Sequence, residues 1–567
     1  MASLVEAARA GVTSPHIAAP RAEDAPAAAH ARGNASLEWH AALHQQLWSD
    51  FHQTRWRAPR RVPGNVAALV AVTAFVGWCV WRAVDPDFAP DRFEIPQAVR
   101  DRAALLFVIC WVPAIHYLSA HPARRRPIPF FCMYSCLYGL YYALSPMLGL
   151  SNLLWLARGL AAVDPHTEYK RPVNLLLAGW MLLLAGYWLA GQVRFAGGSR
   201  LPRPRWRMPE QLRRRSALVM LVAGLTSEIA HRFDVWPMAL DGAATLLSML
   251  LEGSIVALVA LHRRGQLSRH QTVATAIGIA ATIFLALGSS ATGRVMFVLL
   301  AVFLGRWLGR AAIRPREVVA VALAMTLAAT VRGVMTEWRN EIWGRRGGAV
   351  GLMEGPGYML RLVDQHVDSA GFADAATAGW RVIGSRSANT DLLVDAMRRT
   401  PDVVPYWNGY SYRALAGVLV PRVVWPDKPM NTLGQEYGHR YAYLADSDLQ
   451  TSINLPLVVE FYINFGLPGV LVGMFALGIL LHLVEDAANR RDQDLFYSAM
   501  VAPILARLLL MECNFSLIFG ALPLQLPSIW LIGMFALWAG GVIPRRRPPR
   551  PPWYAIRMPV AGARRAA

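Results

Sequence analysis

The residues best suited to chemistry in this chain lie between 334 and 465, where charge is set between long apolar runs. The stretch VLVPRVVWPDKPMN, residues 418–431, places Arg422, Trp425, Asp427 and Lys428 among Pro421, Pro426 and Pro429. Each proline fixes φ and discourages a continuous helix, which holds the charged groups at set positions. Twelve arginines run from Arg332 to Arg440, interleaved with Trp338, Trp343, Trp380, Trp407, Trp425 and several tyrosines. A guanidinium offers a planar fork of donors that suits phosphate oxygens, and an aromatic ring offers a flat face to the C–H surface of a sugar. A substrate bearing both pyrophosphate and sugar accounts for the combination. An amphipathic segment that binds lipid headgroups is the plainer alternative.

Two further stretches carry polar groups beside apolar segments. In LALGSSATGRVMF, residues 285–297, small residues lead into Arg294, so an anion can approach the arginine and the nearby N–H groups. A tight helical hairpin whose arginine reaches the headgroups fits equally. In VVEFYINFGLPGVLVG, residues 458–473, Glu460 and Asn464 share one helical face, and Gly466, Pro468 and Gly469 break or restart the helix. A carboxylate there serves as a general base if its pKa is raised, or as an anchor for a neighbouring arginine. Charged groups inside apolar helices cost about 2.5–3.5 kcal/mol at the centre on insertion scales and mark functional candidates. Glu252 and Arg507 are the deepest, with Glu228, His231 and Glu512 nearer the segment ends.

The elements that must position these groups follow from hydropathy. With 567 residues, 55% apolar and 17% charged, the chain holds about a dozen segments that approach the roughly 20 residues needed to cross a bilayer. The reading is all-α: a polytopic transmembrane helical bundle with a large helical extracytoplasmic loop. Spans are expected at 64–84, 101–120, 128–150, 173–193, 216–233, 240–262, 271–289, 293–311, 317–333, 466–484, 494–512 and 523–544. Residues 1–60 form a cytoplasmic, partly disordered leader, 61–333 spans one to nine, and 334–465 the outer loop. Residues 466–544 form the last three spans and 545–567 a basic cytoplasmic tail. Every second connection is basic (residues 124–126, 213–215, 263–264, 310–316 and 490–491), which places both termini inside. In NTDLLVDAMRR, Leu392, Leu393, Ala396 and Met397 form one stripe, capped by Asn389 or Thr390. The formal charge of +20 is spread over these membrane-flanking loops, so anionic lipids are the expected partner and nucleic acid is not. The five cysteines lack metal-ligand spacing and read as packing residues.

The order GSSATGR, GSRSANTD, NGYSYRALAGVLVPRVVWPDKP and EFYINFGLPGVLVG resembles bacterial O-antigen and oligosaccharide repeat-unit polymerases of the Wzy type. The likeness covers about residues 285–475, and WPDKP followed by NFG is its most specific part. It implies a GT-C-like integral membrane glycosyltransferase, metal-independent and without cofactor, in the cytoplasmic membrane. Its substrates would be polyprenyl-pyrophosphate-linked oligosaccharides, and a flippase and chain-length regulator would be its protein partners. Under this resemblance, Arg294, Arg386 and Arg422, supported by Lys428, stabilise the departing pyrophosphate. Glu460, His439 and Asp427 are the candidate bases. Tyr410, Tyr412 and Trp425 hold sugars, with Asn464 beside them. A lipid-linked oligosaccharide flippase is the competing reading. So are a polyprenyl-phosphate-sugar glycosyltransferase, for which Asp85 and Asp87 are the acidic candidates, and an O-antigen ligase.

Overall fold

A computed structural model describes residues 95–120, 125–149, 168–192, 207–232, 241–287, 292–310, 314–334, 338, 355–386, 389–420, 425, 432–449, 451–490 and 493–542, and parts of 67–79. Residues 1–60 and 545–567, residues 288–291, Arg422, Asp427 and Lys428 lie outside the described residues, as do the side chains of 381–388. All regular structure among the described residues is helical.

Five helices are long and apolar enough to cross a membrane: Gln97–Ser119, Lys170–Gln192, Thr245–Arg263, Leu457–Ala488 and Phe515–Ala539. Five such helices do not establish twelve spans. Other expected spans are helical as well, at Glu210–Arg232, Arg269–Leu287, Thr292–Arg310 and Pro315–Gly333. The expected third span is a helix interrupted by a π turn at Gly139–Ala143, and the eleventh runs only over Leu495–Arg507.

The Asp241–Arg263 helix is the hub, with Ile255 to Leu258 and Ala260 to Leu261 fully buried. It packs against the 210–232, 292–310 and 495–507 helices. The 170–192 and 457–488 helices touch backbone to backbone. A Cβ at Gly186 would lie 2.1 Å from the Phe475 carbonyl oxygen, and one at Gly478 would lie 2.1 Å from that of Leu183.

The arginine-rich connections meet at one end of this bundle. Arg126 pairs with Asp486 at 3.7 Å, Arg213 with Asp494 at 3.0 Å, and Arg263 with Glu317 at 2.7 Å, where Arg306 joins it. Arg264 and Arg310 donate to the carbonyls of Leu308 and Arg263. Asn489 clasps Ile128, accepting from its N–H at 2.9 Å and donating to its carbonyl at 2.6 Å. Trp307 completes the link by donating to the Pro127 carbonyl at 3.0 Å. Five basic connections distant in sequence therefore share one end.

The long 334–465 segment forms helices at Gly355–Ala370, Phe372–Arg386, Asn389–Arg399, Ala414–Leu419 and Leu433–Arg440. The apolar stripe of its 389–399 helix rests on the bundle. Leu393 and Ala396 are fully buried, with Leu392 and Met397 packed beside them. Thr390, expected as a cap, donates instead to the Tyr142 carbonyl at 2.5 Å and ties this helix to the bundle. Tyr169 reinforces the tie by donating to Asp391 at 2.7 Å. Trp380 packs edge-on to Phe75, and the 372–386 helix lies so close to the 315–333 helix that a Cβ at Gly379 would overlap the Ala329 carbonyl. All five cysteines are free thiols.

Candidate functional site

At the end of the bundle opposite the arginine-rich connections, the 457–488 helix begins with a buried polar turn. Glu460 and Asn464 are both fully buried. The helix is broken at Gly466, whose φ of 65° and ψ of −151° fall in a region essentially reserved for glycine. The Tyr406 hydroxyl would lie 2.9 Å from a Cβ at this position. Gly466→Ala is therefore expected to cost about 1–3 kcal/mol, read as a lower thermal midpoint of the purified protein. An unchanged midpoint would show that the kink is not required.

The segment WNGYSYR, residues 407–413, is strapped across this turn. The Trp407 N–H donates to the Ile463 carbonyl at 2.9 Å. Asn464 Oδ1 accepts from the Gly409 N–H at 2.9 Å, while Asn464 Nδ2 donates to Ser411 Oγ at 3.0 Å and to the Glu460 carbonyl at 2.8 Å. The strap takes its sharp turn through left-handed Asn408 and Gly409, at φ 47° and 84°. Glu460 Oε2 accepts from the Phe515 N–H at 2.6 Å, which fixes the loop leading to the last helix. The Ser411 hydroxyl lies within hydrogen-bonding reach of the same carboxylate.

Aromatic rings and guanidinium groups surround this strap. Tyr412 stacks with Phe465 at a 6.2 Å centroid separation and meets Phe515 edge-on at 6.1 Å. Burial, reinforced by the Glu460 carboxylate, holds the Tyr412 phenol well above its ordinary range, so it remains a donor. Tyr410 donates to Glu436 at 3.2 Å and packs edge-on to Trp407. Arg440 lies 4.7 Å over the Trp407 ring and 5.1 Å over Tyr410, while Arg413 lies 5.4 Å over Tyr410. Arg440 also pairs with Glu436 on its own helix.

A rigid buttress stands behind this helix. Asp395 is fully buried, pairs with Arg399 at 2.9 Å and accepts from the Tyr443 hydroxyl at 2.6 Å. Burial raises its pKa despite the opposing pull of Tyr443 and Arg399. Tyr437, Tyr441 and Tyr443 pack ring to ring beneath it.

The structure thus brings together Tyr410, Tyr412, Glu460 and Asn464 from the expected site. Asn464, expected beside the sugars, spends its amide on Gly409, Ser411 and Glu460 and braces the strap. His439 is half-buried on the 433–440 helix, one residue from Arg440, and Trp425 is exposed. Arg386 ends the 372–386 helix. Arg294 belongs elsewhere. It pairs with Glu228, and Glu252, which accepts from Arg507 at 3.1 Å, lies within electrostatic reach of that pair. These four charges bridge the 210–232, 241–263, 292–310 and 495–507 helices.

Ser411 is not among the residues expected from sequence, and Trp407, Arg413 and Arg440 enter there only as part of the arginine–tryptophan enrichment, with no role assigned to each. The i, i+3, i+6 spacing of Trp407, Tyr410 and Arg413 was the available signal; nothing local pointed to Arg440.

Among the described residues, fold and site define an all-helical arrangement with membrane-length helices and an arginine–aromatic cluster braced over a buried carboxylate. A family model, a domain of unknown function (DUF8712), matches residues 362–498, which include the strap, the arginine-bearing 433–440 helix and the kinked helix. No curated protein and no solved structure matches the chain.

Proposed function

We propose that the protein is a membrane glycosyltransferase that polymerises polyprenyl-pyrophosphate-linked oligosaccharide units into a surface polysaccharide. It works at the outer face of the bacterial cytoplasmic membrane and releases polyprenyl pyrophosphate. The observation that carries this reading is the arginine–aromatic cluster of Trp407, Tyr410, Tyr412, Arg413 and Arg440 beside the Glu460 carboxylate. A twelve-span course with both termini inside accompanies it. The meeting of five basic connections at one end of the bundle supports that course, because positive residues favour the cytoplasmic side. The cluster then faces outward.

In this reaction the acceptor hydroxyl attacks the anomeric carbon of the lipid-linked sugar. A glycosidic bond forms, the sugar–pyrophosphate C–O bond breaks, and the electron pair leaves on the pyrophosphate. The hydroxyl proton passes to a carboxylate or imidazole, with Glu460, His439 and Asp427 as candidates. Arg386, Arg422 and Lys428 stabilise the departing charge. Arg294 contributes only after exchanging Glu228 for substrate. Glu460 is fully buried beside Tyr412, so the acceptor reaches it only when Tyr412 or the loop before Phe515 moves.

The Glu228, Glu252, Arg294 and Arg507 cluster favours a second reading, a lipid-linked oligosaccharide flippase with a charged path between helices. Reconstitution into vesicles with a lipid-linked repeat unit separates the two. A ladder of longer glycans formed without added metal supports the polymerase. Translocation with no new glycosidic bond supports the flippase and overturns it.

A further inference from the structure

Two exposed guanidinium groups converge on the Tyr410 ring, Arg440 at 5.1 Å and Arg413 at 5.4 Å. Ring faces hold both groups without neutralising them. Glu436 pairs with Arg440, whereas no carboxylate pairs with Arg413 among the described residues, so one guanidinium of the two remains to receive an anionic group. Among the described residues, neither arginine is tied down by backbone carbonyl contacts of the kind that occupy Arg264 and Arg310 at the other end. Beside them, Phe465 is half exposed and stacks with Tyr412, adding apolar surface at the same rim. A cationic fork beside aromatic surface matches one carboxylate carried on a sugar ring.

We infer that this patch is a subsite for an acidic saccharide, a hexuronate-type residue whose carboxylate is gripped by Arg413 and Arg440. The inference rests on the glycan-handling reading above and narrows its substrate to repeat units that contain an acidic sugar. Each guanidinium–carboxylate contact is a charge-assisted hydrogen bond, strong enough to change affinity by about tenfold.

The test is isothermal titration of the full-length protein in lipid nanodiscs, without lipid-linked substrate. The probes are tetramers of galacturonate, glucuronate and mannuronate, each beside its fully methyl-esterified form. At least one acid should bind about tenfold more tightly than its ester. Arg413→Ala and Arg440→Ala should each remove about tenfold of that affinity, and Arg413→Lys should restore part of it. If no acid outperforms its ester, or if both alanine variants bind as the wild type does, the subsite is refuted. Inorganic pyrophosphate that binds through the same arginines more tightly than any uronate also refutes it. Because binding is read without turnover, ladder formation by the same preparation judges the polymerase reading separately.

Discussion

Glu460→Gln is expected to reduce glycan polymer formation at least about a hundredfold while the protein remains folded. The glutamine carbonyl can still accept from the Phe515 N–H, so the contact that fixes this loop is preserved and only the charge is lost. A positioned general base contributes roughly 10²–10⁴-fold to rate, and that factor should disappear. The measurement is ladder formation by reconstituted vesicles, with thermal unfolding of the same preparation as the control. Unchanged rate and chain length would make Glu460 a tether only. Parallel assays of His439→Ala and Asp427→Asn then show which side chain takes the proton.

Asn464→Ala should be the most destabilising substitution at the contact between the strap and the kinked helix. It removes one acceptor and two donated bonds from a fully buried position, leaving the Gly409 N–H without its acceptor and Ser411 Oγ without the donor from Asn464. Each unsatisfied buried group costs about 1–3 kcal/mol, so a loss of roughly 2–4 kcal/mol is expected, because a water molecule can satisfy part of the deficit. The midpoint of thermal unfolding in nanodiscs should fall by several degrees, and limited proteolysis should open first within residues 401–413. A variant as stable as the wild type, with the strap equally protected, would mean that the Trp407–Ile463 backbone bond holds it alone.

Hydropathy and the prolines made the helical class legible, because an apolar helix needs only its own residues to satisfy its backbone. The break at Gly466 was legible too, since glycine followed by Pro468 announces it locally. The pairing of elements was not. Asn464 looks like an available polar side chain when read along its own helix. It becomes a brace only because residues 407–411 fold across it. The same holds for Arg294, whose partner Glu228 is 66 residues away in sequence, and for Arg440, which reaches Tyr410 from a different helix.

The sequence by itself therefore determined the helical class, the apolar segments, the basic connections and the enrichment of arginine and aromatic residues between 334 and 465. Those properties depend on composition and on periodicity within one segment. Only the tertiary structure decided which arginines meet which rings, which carboxylate lies buried against the Phe515 N–H, and which charges neutralise one another. The physical reason is that hydrogen bonds and ion pairs act over a few ångströms, and distances of that order between remote residues are set by packing.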